Sequence, residues 1–184
     1  MSVDELRSGP VVIGYDGSPP AARAIRETGA LVGPRPALVV VVWEPEVAYN
    51  ALAPTFEPAP IDFHTVLQLE QELYEGAQRL AEEGASLARE SKLDAQGLAV
   101  ADDLSVSGAL VRVARERNAA ALAVGAHGHR ALRELLLGST TREVIHNAPC
   151  PVIVVREHAA EHDEPESGGG KQPRADEESR SGQL

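Results

Sequence analysis

Three glycines and a run of hydroxyl residues carry the clearest chemistry in this chain. They read Gly125-Ala126-His127-Gly128, then nine residues, then Gly138-Ser139-Thr140-Thr141. Gly125 and Gly128 allow positive φ and close approach of a ligand, so that successive backbone N–H groups can point into one concavity. Gly138 delivers Ser139, Thr140 and Thr141 to the start of a helix, where free N–H groups, hydroxyls and the positive dipole end form a ready anion site. Charge-assisted hydrogen bonds contribute about 1.5–3 kcal/mol each, so a handful suffices to hold a triphosphate. Taken alone, the same glycines also read as turn residues and Ser139 as a plain N-cap, and spacing leaves both readings open.

Other residues invite chemistry less strongly. Asp16 sits in a turn after an apolar run, where it can contact a ligand or simply accept N–H bonds of the turn. His127-Gly128-His129 resembles part of the His-x-Gly-His signature of nucleotidylyltransferases, but that signature follows a first strand and this one follows a fourth. A zinc site needs further ligands that no nearby Cys or His supplies, so the two histidines read as exposed loop residues near phosphate. Arg130 and Arg133 lie in the nine-residue spacer; such charges either steer phosphate or are merely solvated. Cys150, the one cysteine, stands between two prolines and reads as a small buried hydrophobe, not a nucleophile. The Gly-x-x-x-x-Gly-Lys, post-strand Gly-x-Gly-x-x-Gly and Gly-x-Ser-x-Gly motifs are absent, and neither a catalytic residue nor a protein metal site is assigned.

The elements that must position these residues are legible as alternating runs. Five short apolar stretches, Val11–Tyr15, Ala37–Trp43, Ala95–Ala101, Ala120–Val124 and Pro151–Val155, are predicted as strands, although Ala95–Ala101 carries a single Val. Between them, Pro19–Val32 opens behind Ser18 as N-cap, with Ala21, Ile25 and Val32 as its buried stripe. A longer helix of about 62–91 places Leu69, Leu73, Ala77, Leu80, Gly84 and Leu87 at i+3 and i+4 spacing. Ser105 or Ser107 caps a third helix, with Val106, Leu110, Val113 and Ala114 inward. A last helix, Ser139 to Asn147, ends before Pro149. The β-α-β-α-β-α-β-α-β order predicts one α/β domain with a parallel sheet and helices on both faces. In such sheets ligands bind beyond the carboxyl ends of the strands where strand order reverses, which brings the loops after strands one and four together.

Composition narrows the partners. Apolar residues make up 43% of the 184 and aromatics 3%, so the core must be Ala, Val, Leu and Ile, suited to buried parallel strands. A net charge of −11 speaks against a nucleic-acid partner, which needs clustered Lys and Arg. An anionic ligand therefore depends on positive potential supplied locally. Residues 157–184 hold eight acids against three bases and three consecutive glycines, and are expected to be a disordered acidic tail. Glu44–Ile61, with Pro45, Pro54, Pro58 and Pro60, reads as a long irregular loop, and residues 1–9 as a polar extension without a leader-like apolar core. No apolar run is long enough to span a bilayer, and with no disulfide framework a reducing cytoplasm is the expected location.

The Gly125-x2-Gly128-x9-Gly138-Ser139 stretch resembles the nucleotide-binding signature of the universal stress protein family. The likeness continues through Arg142-Glu143-Val144-Ile145 and Ala148-Pro149-Cys150-Pro151-Val152-Ile153-Val154-Val155-Arg156. It returns at the other end in Val11-Val12-Ile13-Gly14-Tyr15-Asp16-Gly17-Ser18, and so covers about residues 10–156. The resemblance implies a doubly wound five-stranded sheet of order 3-2-1-4-5, with ATP bound across loops one and four. It places Asp16 on the ribose or metal side and gives adenine the backbone of Val42. Ribose and phosphates fall to Gly125, Gly128, Gly138, Ser139, Thr140 and Thr141, with His127, His129 and Arg130 nearby. It also implies a homodimer through Pro151–Arg156, an edge otherwise open to aggregation, and a regulatory protein partner. Two positions depart from the family pattern: Ala120 stands where an Asp often opens strand four, and Ala101-Asp102-Asp103-Leu104-Ser105 replaces a Gly-containing turn. The two acids can weaken phosphate binding or help hold Mg²⁺. The expectation is an ATP-binding regulatory protein of a stress response, with weak hydrolysis or autophosphorylation at Ser139 or Thr141 the most it would catalyse. A nucleotide-handling enzyme transferring adenylyl or phosphoryl groups, and a ligand-free dimeric interaction module, are the alternatives.

Overall fold

The computed structural model describes residues 8–45, 63–102, 105–126 and 137–156. Strands β1 (Val11–Gly14), β2 (Pro36–Trp43), β3 (Asp94–Ala101), β4 (Ala121–Gly125) and β5 (Val152–Val155) alternate with helices α1 (Pro19–Val32), α2 (Phe63–Glu90), α3 (Val106–Glu116) and α4 (Ser139–Asn147). Every strand pairing is parallel, and the sheet runs β3-β2-β1-β4-β5, the predicted order. The expected loop Glu44–Ile61 beyond Pro45, the tail 157–184, and His127, Gly128, His129, Arg130 and Arg133 all lie outside the described residues.

The period-two alternation of β1 divides the core. Val11 and Ile13 face one side, where they join Ile25 of α1 and Ala85 and Ala88 of α2. Val12 faces the other, with Leu110 and Val113 of α3 and Val144 of α4. Both faces are covered, which is why the strands read as continuous apolar runs.

The long helix departs from expectation in an instructive way. Its buried line is Val66 near the start and then Ala77, Ala81, Gly84, Ala85 and Ala88, while Leu69, Leu73, Leu80 and Leu87 are only half-buried beside it. The spacing located the face but not its centre. The reason is proximity: a Cβ at Gly97 of β3 would come 2.6 Å from the Ala81 carbonyl carbon, and one at Gly84 would come 2.6 Å from the Tyr15 ring. A helix this close to the sheet accommodates only small side chains along its midline, so the leucines flank it.

The two sheet edges are finished differently. Alternation along β3 points the Ala95 and Ala101 carbonyls away from β2. Arg89 Nε of α2 donates to the first (3.0 Å) and Arg112 Nη2 of α3 to the second (3.1 Å). At the opposite edge, Val152, Ile153, Val154 and Val155 are all half-buried, with β4 as their strand neighbour.

Candidate functional site

The site is built where β1 leaves its neighbours. β1 pairs with β2 as far as Gly14–Val40 and with β4 as far as Ile13–Ala123. Tyr15 N–H then closes on the Val40 carbonyl at 2.9 Å, and the chain turns. From here β2 leads outward to β3 and β4 leads outward to β5, so strand order reverses between β1 and β4. That reversal opens a crevice at the carboxyl ends.

The β1 turn is a self-contained unit. Asp16 Oδ1 accepts the Ser18 N–H at 3.0 Å, the turn-closing role open to an Asp in this position, and the residue is exposed. Gly17 takes φ +78, and a Cβ there would stand 3.2 Å from Leu80 Cδ1 of α2. Ser18 is the N-cap of α1: its Oγ accepts the Ala21 N–H at 3.3 Å, and Pro19 and Pro20 occupy the first two helical positions. Tyr15 anchors the turn from below with its ring against Gly84 and Val39. Burial, then the Glu83 and Asp16 carboxylates, push its phenol above the ordinary range.

Val42 lies two residues past the last β1 pairing on β2 and pairs with Val100 of β3. Strand alternation gives Val42 the same backbone direction as Val40, toward the side β1 has vacated. Its N–H and C=O therefore face the crevice. Trp43, the only tryptophan in the sequence, follows it and packs its ring against Tyr74 at 5.8 Å between centroids.

The β4 side differs from expectation in two respects. Gly125 remains in the strand, paired with Val155, and Gly138 has φ −57 and ψ 157. Among the described glycines, positive φ is found instead at Gly17 in the β1 turn and at Gly33, the C-cap of α1. The second difference is Thr141. Its hydroxyl does not face the crevice: it is buried, and Oγ1 donates to the Gly125 carbonyl (2.9 Å) and approaches that of Ala126 (3.4 Å). A threonine at the third helical position points its side chain back toward the helix's N-terminal end, where the end of β4 lies within reach.

The start of α4 is open. Gly138 is its N-cap, and no side chain caps it among the described residues. Ser139 is exposed and Thr140 half-exposed, so their N–H groups and hydroxyls are presented at the dipole's positive end. The neck below is closed by Gly138 N–H to Ala126 O (2.9 Å) and Ala126 N–H to Val155 O (2.7 Å). On the far flank, Glu143 accepts from Ser107 of α3, whose Oγ lies 3.0 Å from that of the α3 N-cap Ser105. Asp102 is half-buried after β3, and its N–H goes to the Trp43 carbonyl at 2.8 Å. No cluster of three metal-ligating side chains occurs among the described residues. Cys150 packs against the α3–α4 core, and burial pushes its thiol up, away from nucleophile behaviour.

Of the residues singled out from sequence, the fold thus brings Asp16, Val42, Gly125, Gly138, Ser139 and Thr140 to one end of the sheet. It commits Thr141 to the scaffold.

The fold is that of a doubly wound α/β protein, with the start of α4 at its switch point. The model of the Universal stress protein family matches residues 8–156, and the chain belongs to that family. A relative, the universal stress protein in the QAH/OAS sulfhydrylase 3′ region of Thermus aquaticus, is 29% identical over 150 residues, 79% of this chain and 97% of its own. The solved structure of hypothetical protein MJ0577 aligns with TM-score 0.67 at 19% identity, over 84% of this chain and 99% of that one. A universal stress protein in complex with cAMP aligns with TM-score 0.54 at 21% identity, over 82% and 98%. One from Archaeoglobus fulgidus in complex with dAMP aligns with TM-score 0.51 at 21% identity, over 82% and 99%. No described helix is long and apolar enough to cross a membrane.

Proposed function

We propose that this protein is an ATP-binding regulatory protein of a stress response. The nucleotide lies across the β1 turn and the start of α4, with adenine against the Val42 backbone and Asp16 toward the ribose or a phosphate-borne Mg²⁺. Gly125, Gly138, Ser139 and Thr140 meet the ribose and phosphates, together with the loop carrying His127, Gly128, His129 and Arg130. The observation that carries the reading is the first turn of α4 at the sheet's switch point, which no side chain caps among the described residues. In a chain of net charge −11, attraction for phosphate has to come from such a local source of donors and dipole. The complexes with cAMP and dAMP in structures of the same fold favour an adenine nucleotide.

Calorimetric titration of ATP with Mg²⁺ into protein shown free of nucleotide tests this. The expected outcome is a one-site isotherm near micromolar, about −8 kcal/mol, accompanied by a change in Trp43 fluorescence. No heat at high protein concentration overturns it in favour of a ligand-free interaction module. Turnover of ATP onto an identified acceptor would select the enzyme instead.

The open β5 edge supports a homodimer through Pro151–Arg156, since an edge of four half-buried β-branched residues is a template for a second strand. Val154→Lys should convert the dimer to a monomer in sedimentation. A native chain that sediments as a monomer would remove the proposal.

A further inference from the structure

We propose that Thr141 is a positioning residue that seats the first turn of α4, not a phosphate ligand; this rests on the nucleotide reading above. Gly138 closes the neck through one backbone bond to Ala126. Among the described residues it is the one backbone bond from this turn to the end of β4, and one bond fixes a point but not a direction. The Thr141 hydroxyl lies three residues further on and reaches the carbonyls of Gly125 and Ala126, the last residue of β4 and the one after it. The two attachments, at Gly138 and Thr141, bracket Ser139 and Thr140 and fix the direction in which their amides point.

A third attachment holds the outer flank. Ser107 is 3% exposed and donates to the Glu143 carboxylate. Since an ionised carboxylate only accepts, the proton order runs from Ser105 Oγ to Ser107 Oγ to Glu143. The chain of hydroxyls holds the Glu143 carboxylate against α3. Pre-set donors bind an anion without reorganising, which is how a buried hydroxyl that never touches the ligand acts on affinity.

The test separates this role from direct contact and from the nucleotide reading itself. Thr141→Val keeps the shape and removes the donor; Thr141→Ser restores it. In nucleotide-free protein, the valine variant should raise hydrogen exchange of the Gly138 amide about tenfold, and the serine variant should return it to the native rate. ATP affinity should fall about tenfold in the first and recover in the second. Weakened binding with unchanged Gly138 exchange would make Thr141 a direct ligand and overturn the proposal, as would no change in either. If the native protein takes no nucleotide, the functional reading fails, and the exchange arm still decides whether Thr141 seats the turn. Should the valine variant not fold, the native protein serves. Its Thr141 hydroxyl proton should be slow to exchange by NMR and keep its shift when ATP is added, whereas a shift that moves on binding would overturn the assignment.

Discussion

The starts of α1 and α4 lie at the same end of the sheet, after neighbouring strands, and each contains a Gly-Ser pair. They are nonetheless opposite in character. At α1 the serine is the N-cap, its Oγ taking the Ala21 N–H, and two prolines remove the first two donors covalently. At α4 the glycine is the N-cap, the serine has moved one place into the helix, and no side chain caps the turn among the described residues. A one-residue shift of the same dipeptide thus closes one helix start and opens the other. The start of α3 follows the closed pattern, with Ser105 Oγ accepting the Gly108 N–H at 3.0 Å. A capped start is stable by itself, while an open one leaves its donors to a ligand.

The strongest way to break this contrast is to close α4. Gly138→Asp introduces a capping carboxylate at a residue whose φ −57 and ψ 157 suit any side chain. Folding should gain a few tenths of a kcal/mol. Nucleotide should lose far more, because a fixed negative charge about 4 Å from a phosphate costs about 4 kcal/mol at an effective dielectric of 20. Titration should show ATP affinity down by more than about a hundredfold, with the melting temperature unchanged or slightly raised. Retained affinity would place the phosphates elsewhere.

A smaller effect is expected from Gly17→Val on the closed side. The substitution forces a β-branched residue to φ +78 and sets its Cβ 3.2 Å from Leu80 Cδ1. Left-handed backbone costs a residue with a Cβ roughly 1–2 kcal/mol. Thermal unfolding should report a fall of that order, and ATP affinity should weaken with it as Asp16 and the crevice wall shift. A variant as stable as the native chain would show that the turn relaxes freely and that α2 does not hold it.

What could be read from the chain, and what could not, divides along a physical line. The alternation of strands and helices followed from patterns local in sequence, β-branched runs and Ser-Pro starts, while the strand order 3-2-1-4-5 came from the family resemblance. Contacts between distant segments left no such mark. Thr141 reads as one more hydroxyl in a phosphate loop until β4 is seen beneath it. Arg89 and Arg112 carry no mark in the sequence of their bonds to the outward carbonyls of β3. The predicted stripe of α2 found Ala77 and Gly84 on the buried midline but set four leucines beside them that only flank it, because helix-to-sheet distance is set by Gly97 and Gly84 and a periodicity carries no distance. Of the two glycines read as allowing positive φ, Gly128 lies outside the described residues and Gly125 is held in the strand by the β4–β5 pairing, while Gly17 takes positive φ.

The finest test of the contrast exchanges the same chemistry at its two ends. Ser18→Ala removes a buried cap, so stability should fall by about 1 kcal/mol, a drop in melting temperature of roughly 2–4 °C for a chain of this size. Asp16 keeps its bond to the residue 18 amide, which belongs to the backbone, and ATP affinity should hold. Ser139→Ala deletes an exposed hydroxyl that caps no amide among the described residues. Its melting temperature should stay put, while affinity should drop by about 1 kcal/mol, some fivefold, for one lost hydrogen bond to phosphate. The two alanine variants should therefore exchange columns, one losing stability and the other losing ligand. If Ser139→Ala instead lowers the melting temperature and spares the affinity, its hydroxyl serves the helix as Ser18 does, and the open start of α4 is not a binding site.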